Sequence, residues 1–405
     1  MKICKWYKNA ISPVIFMIDD LANVWVDSNN NDSLDIGEDW GFFKRHEKSS
    51  ITYLENDILE KFENVKTTFF VPVGERVGMI KNSKIKSISR AINFDEKSKE
   101  FFRELHNCKK YELAYHGTNH GRVGIKNTDF IQEWALFKDL NEALDKISLG
   151  VSIFNDAVGQ LPLGGKYCGY ISNEFSDESI DESGFIWWCR FCNLDVYDDI
   201  KKNSMKINFN GGDKNFITNN DVKYFGKNKV IDIPTTVNGG LLTGIYNLNG
   251  NFLKKSIKKI FPNLLIKRKL KLIDKLLQNN LVISIQEHIS PARDDGRRQT
   301  PNIYDDKLSL IKIFSYLHDK NVWFCTCSEL ASYVYYRDNL KLTIENDTFE
   351  FNIKELKDYK FKNISIKSDK YNKIITPKGK VIKEENGVLN IPIEYGKYKL
   401  KKGEL

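Results

Sequence analysis

The chain has 405 residues, of which 41% are hydrophobic and 12% aromatic; this is the composition of a folded protein and excludes a disordered one. That length predicts one large domain plus a small one, and no stretch approaches the ~20 apolar residues needed to span a bilayer. The net charge of +8 is moderate and dispersed apart from one basic segment, with no nucleic-acid-binding motif beside it.

Lys2, Lys5 and Lys8 precede an apolar run from Ile11 to Ile18, which superficially resembles a signal peptide. The run ends in two acids instead of small residues, which argues against export. Seven cysteines, an odd number without regular spacing, describe no disulfide framework, so a reducing cytoplasm is expected. Strand-length apolar runs then recur: Pro13–Ile18, Lys66–Val73, Glu112–Tyr115, Phe185–Phe191, Val230–Pro234, Leu281–Ile285 and Val322–Thr326. Helical patterns alternate with them over Ser50–Phe62, Lys97–His106, Asp129–Ser148, Phe252–Gln278 and Asp306–Asp319. This alternation predicts an α/β domain over residues 1–335 with a parallel sheet, and a site at the carboxyl ends of its strands. Residues 200–230, polar and rich in Asn and Gly, read as an insertion. From about residue 336 the chain turns lysine-rich with short alternating runs and turn signals such as Pro377-Lys378-Gly379, which predicts a small β-rich domain over 336–405.

Three short pieces carry the chemistry: Asp19-Asp20, His116-Gly117-Thr118-Asn119-His120, and His288 at the end of Leu281–Glu287. Adjacent carboxylates closing an apolar strand are costly unless a metal or donors engage them. The bland reading of Asp19-Asp20 is a helix cap, and a lone histidine such as His288 is more often a structural hydrogen-bonder. His116 and His120 lack an intervening Glu after the first His, which excludes the zinc-protease pattern. The chain has only six histidines, however, and three of them fall at expected strand ends. Asp, His and His can then hold one divalent ion, leaving an Asp and a His for proton transfer.

The order of Asp-Asp, His-x-x-x-His, a Gly/Tyr-rich segment and a late strand ending in His resembles the polysaccharide deacetylase (NodB-homology) family, carbohydrate esterase 4-like. The resemblance covers roughly residues 10–335 and extends to the closing strand and turn Asn321–Leu330. It implies a distorted (β/α) barrel that removes acyl groups from N-acylated sugars with a bound divalent metal. Carried over by position, it makes Asp19 the general base, Asp20, His116 and His120 the metal ligands, and His288 the general acid. The family's third motif falls on Leu163–Tyr170, where the usual arginine is missing. Lys166, or Arg190 from the next strand, is expected to orient Asp19 instead. Tyr167 and Tyr170 are expected near the substrate, with a backbone N–H of that loop facing the oxyanion. Gly121 stands where Pro usually follows the second His, and Asp195 and Trp188 are weak matches to the fourth motif.

Other signals are read more plainly. Asp27–Glu38 has oxygen ligands at several calcium-loop positions, but Asp32 stands where glycine is normally required, so a substrate-facing loop is preferred. Cys189/Cys192 and Cys325/Cys327 read as core thiols over a zinc site. Arg293, Arg297 and Arg298 lie in a polar loop after His288, either solvated or set to hold an anionic group on the sugar. The basic segment 254–275 reads as the solvated face of an outer helix, or as a peripheral contact with anionic lipid or a lipid-linked diphosphate.

The expectation is a zinc-dependent hydrolase, with cobalt, nickel, manganese or iron also suited to the ligands. It would deacetylate a cytoplasmic nucleotide- or lipid-linked N-acetyl sugar used in surface glycan synthesis, at the inner face of the membrane if lipid is contacted. The alternatives are hydrolysis of another C–N bond (ureide or cyclic amide), an iron site for oxygen chemistry, and a non-catalytic glycan-binding relative.

Overall fold

The computed structural model describes residues 1–193, 215–247, 252–352, 359 and 361–402. A ten-stranded sheet lies at its centre. The strands are β1 (Ser12–Asp19), β2 (Thr67–Val71), β3 (Tyr111–Tyr115), β4 (Gly164–Lys166), β5 (Trp187–Cys189), β6 (Lys223–Phe225), β7 (Val230–Asp232), β8 (Val237–Asn238), β9 (Ile283–His288) and β10 (Val322–Phe324). Their order is β6-β7-β5-β4-β3-β2-β1-β9-β8, with β10 beside the start of β1. Every pairing is parallel except β6 with β7. Every residue of β1 and β2 is buried, as expected where a parallel sheet is covered on both faces.

The sheet curls because one extended segment serves two neighbours. Val230–Asp232 pairs with β5, Thr235 bridges to Cys192, and Val237–Asn238 then pairs with β9. The result is the distorted (β/α) barrel expected from the sequence. Helices α1 (Glu96–Asn107), α2 (Leu140–Val158), α3 (Pro262–Gln278), α4 (Lys307–His318) and α5 (Cys327–Asn339) surround it. Each lays an apolar stripe inward, as α1 does with Phe101, Phe102 and Leu105.

One helical expectation is corrected. The helix expected over Asp129–Ser148 lies at Leu140–Val158, because Asp139 is extended and its side chain accepts from the Glu142 N–H, capping the start there. The helical pattern over Phe252–Gln278, interrupted at Pro262, divides there into Phe252–Ile260 and α3, since Pro262 has no N–H to continue the ladder. Strand β4 was not expected at all. Its Gly-Gly pair gives no apolar signal, yet a Cβ on Gly165 would lie 2.2 Å from the Tyr115 carbonyl oxygen.

The expected β-rich C-terminal region forms two sheets. One holds Lys341–Glu345, Thr348–Asn352, Lys373–Ile375, Val381–Lys383 and Tyr398–Lys401. The other joins Asn363–Lys367 and Val388–Pro392 to the N-terminal strand Lys2–Ile3. Phe349 stacks on Tyr398 at 4.7 Å within a buried cluster that continues into the outer layer of the barrel through Tyr333 and Trp323. Cys189, Cys192, Cys325 and Cys327 all lie in that cluster, and burial pushes the Cys189 and Cys192 thiols up to about 12. They behave as core side chains. In the calcium-like loop, Asp27 accepts from the N–H groups of Asn31 and Asp32, and Glu38 from those of Ser28 and Asp35, so both carboxylates brace their own loop. Of the expected insertion, residues 200–214 lie outside the described residues, and the remainder forms a short helix (Phe216–Asn220) and β6.

Gly165→Ala tests the tight β3–β4 approach. The added methyl also meets Trp188 at 2.5 Å, so a loss of about 1–3 kcal/mol or more in urea-denaturation stability is expected.

Candidate active site

The strand register assembles the site. Asp19 pairs across to His288 on β9 and to Phe70 on β2. Val71 pairs with Tyr115, and Tyr115 with Gly165. The residues that follow, Asp20, His116 and Lys166, therefore emerge at one level of the carboxyl end. Asp20 and His120 both adopt positive φ (67° and 70°), which turns their side chains back over the barrel mouth. A cavity of about 260 Å³ opens there, lined by Asp19, Asp20, His116, His120 and His288 among others.

Asp19, Asp20, His116 and His120 are buried and His288 is partly so, so each needs a partner. Lys166, wholly buried, donates to Asp19 Oδ1 at 2.8 Å and also to Gln286 Oε1, with its ammonium 4.2 Å from the centre of the Phe70 ring. Of the two residues expected to orient Asp19, Lys166 is the one in contact with it. Arg190 is held by Asp177 and Asp232 outside the cavity. Tyr167 also points away, donating to Asp177 at 2.7 Å and packing on Trp134 and Trp188. Tyr170 lines the cavity, but its hydroxyl is engaged by Thr235 and Gln286. The N–H groups of Tyr167 and Tyr170 are also taken, by the carbonyls of Cys189 and Tyr167. Trp188 is a core residue, and Asp195 lies outside the described residues.

Asp20 has the densest set of partners. His120 Nε2 stands 3.1 Å from Oδ1, Arg76 Nε 3.3 Å from the same oxygen, and Gln299 Nε2 donates to Oδ2 at 2.6 Å. Burial acts to raise the Asp20 carboxyl, but Arg76, His120 and His116 outweigh it and hold the group well below the usual carboxylate range. His116 Nδ1 lies 3.0 Å from the Lys166 carbonyl, which can only accept; Nδ1 therefore carries the hydrogen and Nε2 keeps its lone pair. Burial pushes His116 down to about 4, so its imidazole is neutral at neutral pH. His288 Nδ1 is fixed in the same way by the Pro301 carbonyl at 2.6 Å, and burial lowers this imidazole too.

The donor set fits a divalent cation. Asp20 Oδ1 stands 3.1 Å from His120 Nε2, the His116 and His120 rings lie 5.1 Å apart, and His116 has the tautomer a metal needs. Cys168 Sγ also lies with the two imidazoles, their potential ligand atoms all within 4.8 Å of one another. Its thiol donates to the His116 carbonyl at 3.1 Å and burial pushes it well above its ordinary value. Cys168 and Asp20, whose Oδ1 stands 3.1 Å from His120 Nε2, are therefore the two candidates for the third donor beside the imidazoles.

Several residues escaped the sequence reading. Arg76 and Gln299 stand in polar loops where a charge or an amide reads as solvated; Arg76 instead packs over Trp40 at 4.4 Å. Glu133, buried in Gln132-Glu133-Trp134, accepts from the N–H groups of Thr118, Asn119 and His120 at 2.7–2.8 Å and so shapes the His-x-x-x-His turn. Its one sequence signal is an acid set among apolar residues. At the rim, Arg293 is bound bidentately by Asp295 and Arg298 by Asp305, while Arg297 is exposed.

No family model matches the chain, and no curated protein does. Solved structures with similar folds include a protein from Mycobacterium smegmatis classed as a polysaccharide deacetylase, at 14% identity and TM-score 0.45, covering 85% of this chain and 98% of its own. Another, so classed from Pseudomonas aeruginosa, has 14% identity and TM-score 0.45, covering 81% and 92%. A family 4 acetyl xylan esterase from Clostridium thermocellum, solved with a cobalt ion, has 12% identity and TM-score 0.32, covering 79% and 90%.

Two outcomes follow for the site. Glu133→Ala leaves the His120 turn without its acceptor, and zinc affinity measured by calorimetric titration should fall about 10–100-fold. For His116, the unfolded imidazole gains its proton near 6.5 and the folded one only near about 4. The unfolded state therefore binds more protons between those values, so the metal-free protein should lose stability as pH falls through that window. The loss attributable to His116 is at most about 3 kcal/mol, and His116→Gln should flatten that part of the melting-temperature profile.

Proposed function

We propose that the protein is a metal-dependent hydrolase that removes an N-acetyl group from a carbohydrate. The observation that carries this reading is the pairing, within one buried cavity, of an Asp20–His116–His120 donor set with a separate Asp19–His288 pair on adjacent strands. Asp20, His116 and His120 would hold the ion, zinc by the nature of the donors. When bound, a divalent ion supplies a water of lowered pKa and a Lewis acid for an amide carbonyl.

The remaining work falls to the chain's own groups. Lys166 fixes Asp19 through Oδ1, leaving Oδ2 on the His116 side, 3.9 Å from Nε2, to take the proton of the attacking water. His288 has its Nδ1 committed to Pro301, so Nε2 is the atom that would protonate the departing amine. A base and an acid on neighbouring strands can face the same amide from its two reacting ends. The exposed Arg297 at the rim suits a phosphate on the sugar. This favours a nucleotide- or lipid-linked N-acetyl sugar, a precursor of a surface glycan, as substrate. The free cysteines, all but Cys108 buried, are compatible with a reducing cytoplasm. Among the described residues no helix is long and apolar enough to cross a membrane.

Acetate release from free, nucleotide-linked and lipid-linked N-acetyl sugars, with zinc or cobalt supplied, tests this reading. Asp19→Asn should keep the metal content of the native protein while lowering kcat by about 10²–10⁴-fold. Loss of metal in that variant would overturn the division between base and ligands, and absence of acetate from every sugar would overturn the reaction.

A further inference from the structure

The helical elbow between Phe252–Ile260 and α3 presents an apolar surface that the barrel does not use. Ile257, Ile260, Phe261 and Leu264 are 41%, 66%, 53% and 65% exposed. All four fall within eight residues that bracket the break at Phe261 and Pro262. Each side of the break keeps its own bond, Phe261 N–H to the Ile257 carbonyl at 2.9 Å and Leu265 N–H to the Phe261 carbonyl at 3.2 Å. α3 already has its core face, made by Ile266, Leu270, Ile273, Leu276 and Leu277, so the elbow residues are surplus to packing. Single exposed apolar residues are ordinary; four together are not.

The charges around them choose the partner. Lys255, Lys259, Lys267, Arg268 and Lys271 are all exposed, and no acid occurs in the sequence from Phe252 to Ile273. An apolar face ringed by cations and free of anions matches the interface of an anionic bilayer, where the apolar side chains enter the acyl boundary and the ammonium groups meet the headgroups.

The elbow's place in the barrel gives this surface a use. α3 ends at Gln278, just before β9 begins at Ile283 on the amino side of the sheet. Its 17 residues span about 25 Å, against about 20 Å for the six of β9, so Pro262 reaches the level of His288. The elbow and the cavity mouth therefore share one end of the barrel.

We propose that the Ile257–Leu264 elbow docks the protein onto the surface of an anionic lipid bilayer, with the cavity mouth at the membrane side. The docking is independent of the reaction proposed above, and its test reads binding alone. The full-length protein is floated with vesicles of phosphatidylcholine, either alone or with phosphatidylglycerol added. Binding is expected only with the anionic lipid and should weaken as salt rises. Lys259→Gln with Lys267→Gln should lower partitioning about 25-fold, at about fivefold for each lost charge. Phe261→Ser with Leu264→Ser should also abolish most binding; all four positions are exposed, so melting temperature should stay unchanged and report intact folding. Failure to float with anionic vesicles would overturn the proposal. So would equal binding to neutral vesicles, native binding by both variants, or retention by duplex DNA but not by lipid.

Discussion

The site depends on the register between β1 and its neighbours. A parallel strand buried on both faces has no polar–apolar alternation to fix its pairing, so the apolar residues of β1 would tolerate a slip by themselves. The charges at the strand ends do not tolerate it. Lys166 meets Asp19, and Arg76 and Gln299 meet Asp20, only with Asp19 level with His288 and Phe70. At the opposite end Glu112 accepts from Thr68 on β2 and from Ser328 at the start of α5. A slip would leave a buried charge without its partner, at a cost on the order of 3–5 kcal/mol. The polar groups at both ends thus specify an alignment that the apolar middle does not.

This division explains what the sequence discloses. The apolar runs of β1, β2, β3 and β9 are legible because each is continuous, and their polar ends are legible because an acid or histidine closing such a run needs a reason. Asp19-Asp20, the His116–His120 pair and His288 were found that way. Residues acting from loops were not. Arg76 sits in Gly74-Glu75-Arg76-Val77-Gly78 and Gln299 beside Thr300-Pro301, contexts that read as solvated turns. Nothing local says that one lies over Trp40 and both on Asp20. Strand β4 was missed for a related reason: its role is close backbone approach, which requires the side chains to be absent. The N-terminal pairing of Lys2–Ile3 with Asn363–Lys367 joins segments about as far apart as the chain allows, and no periodicity can report that.

Two buried carboxylates on neighbouring strands show how placement decides chemistry. Asp20, turned over the mouth, has Arg76 and two imidazoles against it and is held ionised. Glu287, one residue before His288 and so on the other face of β9, has Asp306 and Asp305 as its charged neighbours, and burial pushes its carboxyl well above the ordinary range. The first is held toward its ionised form and the second toward its neutral form, though the sequence shows each only as an acid beside an apolar strand.

The same reasoning extends to the cavity as a whole. Asp19 and Asp20 are each matched by a fixed cation, Lys166 and Arg76, while His116 and His288 are held toward the neutral form by burial. The protein's own charges nearly cancel there without any help from solvent. Positive charge added at the Asp20–His116–His120 donors is then not cancelled by the chain, and the site as a whole favours an anion. Negative charge develops on the substrate oxygen when water adds to an amide, and a buried, preorganised site stabilises such charge more than water does. Arg76 therefore has two effects at once: it holds Asp20 in its ionised form, and it offsets the negative charge of that carboxylate within the cavity.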